Sequence, residues 1–87
     1  MYYLFSFRSR SESMGFFDDI KKAGLSAVLV STPRSISIGC GLSVKIDTCD
    51  LEVCYDLLER CQSNTFLGVF CYDGKDFYRV KGWENAD

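Results

Sequence analysis

The first seven residues, Met-Tyr-Tyr-Leu-Phe-Ser-Phe, are apolar or aromatic on both alternating sets: Tyr3, Phe5 and Phe7 on one side, Tyr2 and Leu4 on the other. A strand with two apolar faces must be covered on both, so it belongs in the middle of a sheet. The rest of the chain has to supply the neighbours. With 87 residues there is material for one modest core, which buries roughly 60–65% of the unfolded surface.

Beyond Phe7 the chain alternates between helical and strand-like patterns. Ser9 or Ser11 can cap a helix with Glu12 in its first turn and Phe16, Ile20 and Ala23 at helical spacing, and Gly24 supplies the stop. Gly15 weakens that helix by up to ~1 kcal/mol relative to alanine. Leu25 to Val30 reads as a second strand. Leu42, Val44 and Ile46 then alternate with Ser43, Lys45 and Asp47, which predicts a third strand with one buried and one wet face. Asp47 or Thr48 can cap a second helix whose stripe is Leu51, Cys54, Leu57, Leu58 and Cys61, with Glu52, Asp56, Glu59 and Arg60 opposite. Phe66 to Tyr72 is the fourth strand. Asp73-Gly74 marks a hairpin into a short fifth strand, Phe77 to Val80, and the polar chain end is expected to fray.

This order predicts an α+β, ferredoxin-like two-layer sandwich (βαββαβ): two helices on one face of an antiparallel sheet, plus an extra C-terminal hairpin strand. One domain is expected over residues 1–83, with 84–87 a polar tail. The topology also sorts the ends. Strand two and the loop after it finish where the first helix begins, so Cys40 is expected near that N-terminus with Arg8 and Arg10. Cys61 is expected at the same end, Cys49 and Cys71 at the other.

Composition removes several functions. There are 10 Lys+Arg against 12 Asp+Glu, a formal net charge of −2, and no basic run longer than Lys21-Lys22, so nucleic acid is not an expected partner. No apolar stretch approaches the ~20 residues of a membrane span, and the apolar start lacks a basic leader and cleavage site. No membrane role and a cytoplasmic location are the expectations. The absence of histidine removes the Cys-His dyad, the Ser-His-Asp triad and every histidine-containing zinc site. Five cysteines without a Cys-x-x-Cys pair suit neither a disulfide framework nor a metal centre, and no cofactor is called for.

The remaining chemistry lies in Thr32-Pro33-Arg34-Ser35-Ile36-Ser37-Ile38-Gly39-Cys40-Gly41. Helix N-termini, backbone amides and nearby arginine all lower a thiol's pKa from about 8.5, and Cys40 is placed to use each of them. Gly39 and Gly41 permit positive φ and an anion nest, while Pro33 fixes the backbone before Arg34, which can bind an anion or close a salt bridge. Ser37, Arg8 and Arg10 are supporting binding candidates, although arginines at a helix start are more often solvated charges. A cysteine tucked under a loop is an equally good reading on physics alone. Cys54 and Cys61 read as core residues, with Cys61 also a possible resolving thiol for Cys40. Cys49 falls in the first turn of the second helix and is favoured as structural.

Val30-Ser31-Thr32-Pro33-Arg34, then Ile36-Ser37, then Gly39-Cys40-Gly41-Leu42 resemble the signature of the selenium/sulfur carrier family. Its members are short chains with a tyrosine-rich first strand ending in Phe and a helix ending in Ala-Gly-Ile or Ala-Gly-Leu, here Ala23-Gly24-Leu25. The Pro-Arg…Cys-Gly loop and a helix opening with acidic residues come next. The resemblance covers roughly residues 2 to 80. It implies that Cys40 carries sulfur or selenium as a persulfide or selenosulfide, that Pro33, Arg34 and Gly41 complete the motif, and that the partners are protein donors and acceptors. It implies a carrier rather than a turnover enzyme. Gly15 and Phe16-Phe17 depart from the family, where small, acidic or lysine residues are more usual. A second expectation is a non-catalytic regulatory or adaptor module that binds a protein partner or small anion and dimerises through the sheet face left bare by a two-layer fold. A Cys40–Cys61 redox sensor is third, and metal binding last.

Overall fold

The computed structural model describes residues 1–36, 41–47, 51–61 and 63–80. The elements are β1 (Tyr2–Phe7), α1 (Arg10–Lys22), β2 (Ala27–Ser31), β3 (Leu42–Ile46), α2 (Leu51–Cys61), β4 (Phe66–Tyr72) and β5 (Phe77–Arg79). All strand pairs are antiparallel, in the order β2-β3-β1-β4-β5. Both helices pack on one face, which is the expected ferredoxin-like sandwich with its added hairpin strand.

The doubly apolar β1 takes the centre. Its Phe5 and Phe7 join Val44, Ile46, Ala27 and Val69 from the neighbouring strands and meet Phe16 and Ile20 of α1 and Cys54 and Leu58 of α2. Phe16 lies between Phe5 and Phe7, with ring centroids 5.2 and 5.5 Å away. Each fully buried side chain of this size contributes about 1.5–3 kcal/mol of transfer free energy.

The caps reflect local chemistry. Ser9 is the N-cap of α1, its Oγ accepting from the Glu12 N–H at 3.2 Å. At the other end Gly24 adopts φ 84°; its N–H donates to Lys21 O and that of Leu25 to Ile20 O, a Schellman closure. Leu25 is therefore part of the helix stop, and β2 begins at Ala27 rather than at Leu25. At the hairpin Asp73 Oδ1 accepts from the Lys75 and Asp76 amides, both at 2.9 Å. Val80 lies outside β5, although its N–H still donates to Val69 O at 2.8 Å. Asp47 is exposed and outside α2, while Thr48 and the polar tail lie outside the described residues.

The helix-free face departs from expectation in two ways. Ser43, read as wet, is fully buried, because β3 lies between β1 and β2 and the Ser43 hydroxyl is held by hydroxyls from both sides. The centre of this face is also closed: Leu4 is 1% exposed, and Phe70 is 7% exposed beneath the Arg79 guanidinium, 4.9 Å from its ring centroid. Arg79 is held there by donating to Leu67 O at 2.8 Å. Lys45 caps Tyr2 in the same manner, its Nζ 4.4 Å from the ring centroid. Among the described residues, Val28 at the β2 edge is the strongly exposed apolar strand residue of this face.

Candidate functional site

Ser37, Gly39 and Cys40 lie outside the described residues, as does Cys49. The described flanks fix where the loop leaves and rejoins the sheet. The Thr32 N–H donates to Gly41 O at 3.1 Å, closing the base. Beyond it the Ile36 N–H donates to Pro33 O at 2.9 Å, a turn with Arg34 and Ser35 at its exposed corners.

Gly41 is buried, and close approach of the neighbouring backbone alone calls for glycine there. A Cβ there would sit 2.7 Å from Phe7 O, 3.3 Å from Thr32 Oγ1 and 3.7 Å from Arg8 Cα. The loop thus rejoins the sheet against the Phe7–Arg8 backbone, where α1 is about to start. Ser13, buried in α1, fixes the same junction by donating to Leu42 O at 2.7 Å. Arg8 and Arg10 are exposed at this end, and the Arg8 amide donates to Thr65 O at 2.9 Å.

Beneath the base runs a buried chain of hydroxyls. Ser6 Oγ and Ser43 Oγ are 2.7 Å apart, and Ser43 Oγ and Thr32 Oγ1 2.8 Å. The bare Gly41 opposite Thr32 leaves space for that hydroxyl. The sequence reading missed this chain; the available signal was a lone serine in each of two strands otherwise rich in apolar residues.

Cys61 lies at the same end, as expected, in an open cleft of about 300 Å³ lined by Glu12, Gly15, Phe16, Asp19 and Ser63. Burial pushes its thiol pKa up, the Glu12 and Asp19 carboxylates add to this, and backbone hydrogen bonding at Ser63 partly offsets it. Glu12 is held below the usual carboxylate range by hydroxyl donors: Ser63 Oγ, and Thr65 Oγ1 at 2.7 Å. Thr65 Oγ1 also accepts from the Ser9 N–H at 3.2 Å, the group a capping-box glutamate would ordinarily take. Glu12 is thereby freed to tie α1 to the α2–β4 connection. The Ser9-x-x-Glu12 spacing signalled the cap without revealing this tie.

Cys54 is buried in the core, and Cys71 is paired in register with Tyr3, toward the opposite end of β1. Among the described residues no group of three or more His, Cys, Asp or Glu is placed to hold a metal ion. Among the same residues no helix is long and apolar enough to cross a membrane. A family model described as "Putative Se/S carrier protein-like" matches residues 2–65. No curated protein and no solved structure matches the chain.

Proposed function

This chain belongs to the Se/S carrier protein-like family, and from that premise we propose that it is a carrier or accessory protein holding sulfur or selenium on Cys40. In loading, the Cys40 thiolate attacks the outer sulfur of a donor protein's persulfide. A new S–S bond forms as the donor's S–S bond breaks, and the electron pair leaves with the donor thiolate. In delivery, an acceptor nucleophile attacks the same outer atom and Cys40 departs as thiolate. Neither step has net oxidation or reduction, and selenium can occupy the outer position with the same bonds made and broken.

The observation that carries this reading is that the family match spans the whole Pro33-Arg34…Cys40-Gly41 motif. The Gly41 junction supports it by tethering the residue after Cys40 beside Arg8 and the start of α1, where helix amides and cationic side chains favour an anion. Arg34 is exposed at the turn corner, free to meet an incoming anionic sulfur.

The test is loading with a persulfide donor, followed by mass spectrometry of each cysteine peptide. Added sulfur that dithiothreitol removes is expected on Cys40 and is lost in Cys40→Ser. Equal labelling of the Cys40→Ser protein would sink the proposal.

A further inference from the structure

The two edges of the sheet are protected very differently. β5 is three residues long, carries Arg79 and comes after a turn containing Asp73, Lys75 and Asp76. Short length and flanking charge are the usual devices that stop an edge from pairing. β2 has neither. It is Ala27-Val28-Leu29-Val30-Ser31, uncharged and free of proline, and Val28 is 55% exposed.

The backbone of β2 is also arranged to accept another strand. Because the Thr32 N–H bonds Gly41 O, alternation along an antiparallel ladder turns the Val28 and Val30 amide groups toward β3. Ala27, Leu29 and Ser31 then present their N–H and C=O groups to the open side. Among the described residues no strand lies there.

We propose that β2 pairs antiparallel with β2 of a second copy of this chain, about a two-fold axis at Leu29. The sequence is self-complementary in that register. Leu29 meets Leu29, and Ala27 meets Ser31 in hydrogen-bonded pairs made by the outward-facing groups. Val28 falls opposite Val30, covering the exposed valine, and no charge meets a like charge. A two-fold pair also sets the loop base of each copy beside the α1–β2 turn of the other, since Ser26 falls opposite Thr32. The pairing is independent of any sulfur chemistry at Cys40.

Sedimentation equilibrium from low micromolar to near-millimolar protein tests it. The wild type is expected to dimerise. Val28→Lys, which sets a charge against the apolar pair, and Ser31→Pro, which deletes an outward donor, should each weaken the dimer by about tenfold or more. Both sites are exposed, so circular dichroism should show an unchanged fold; Val53→Lys, on the exposed side of α2, should leave the dimer intact. A wild type that stays monomeric overturns the proposal, and would leave β2 as an edge for a strand of different origin. A dimer insensitive to both β2 substitutions overturns it equally, by placing the interface elsewhere.

Discussion

On the helix-covered face of the sheet the row Leu29–Val44–Phe5–Val69 is apolar from β2 to β4, whereas one residue along the strands Val30–Ser43–Ser6–Gly68 carries two buried hydroxyls at its centre and a glycine on β4. Both rows exclude water from β3 to β4, where Val44, Phe5 and Val69 in one and Ser43, Ser6 and Gly68 in the other are buried, while Leu29 and Val30 at the β2 edge are half-buried. The first does so by packing against helices, the second by satisfying its polar groups internally and by stacking Arg79 and Lys45 on aromatic rings at other points of the face. The difference teaches where each face can fail. Removing volume damages the helix side, while removing a hydrogen-bond partner damages the other.

Phe5→Ala should show the larger effect. Phe5 is fully buried between Phe16 and Tyr55, and truncation leaves a cavity costing about 3–5 kcal/mol, read as a fall in the urea midpoint. Ser43→Ala should cost less, about 1–3 kcal/mol, because it strips Ser6 and Thr32 of their shared partner without removing much volume. A Ser6→Ala, Ser43→Ala double variant should cost less than the sum of the two singles, since one orphaned hydroxyl disappears with its partner. Additive losses, or a Ser43→Ala loss equal to that of Phe5→Ala, would break the comparison.

The same contrast separates what could be read from the sequence from what could not. The order of elements was legible because its signals are local: apolar alternation in β1 and β3, the Ser9 cap, the Gly24 stop and the Asp73-Gly74 turn all act within a few residues. Gly41 was legible as important, but the approach of Phe7 O was not, because it is made by a strand 34 residues earlier and leaves no local trace. Ser43 was misread because alternation reports which side a residue points to, and burial depends on what stands next to it. The family signature named Cys40 and Arg34, while the hydroxyl chain and the Glu12 tie that surround the loop base arise only when distant segments meet.

That tie lies outside both faces and should give the smallest and most pH-dependent effect. Glu12 is solvent-facing and accepts from Ser63 and Thr65, so its pKa is lower in the folded state than in the unfolded chain. A carboxylate shifted in this direction adds stability above its ordinary pKa of about 4.3, and loses that contribution as pH falls through the lowered folded value. Glu12→Gln should therefore be slightly less stable than wild type at neutral pH, with the gap in urea midpoint closing in acid as the native carboxylate is protonated. Because the Glu12 charge also helps to hold the Cys61 thiol up, the variant should alkylate faster at Cys61 at a given pH. A gap that persists unchanged into acid, with no change at Cys61, would mean that Glu12 joins α1 to the α2–β4 connection through packing rather than through its charge.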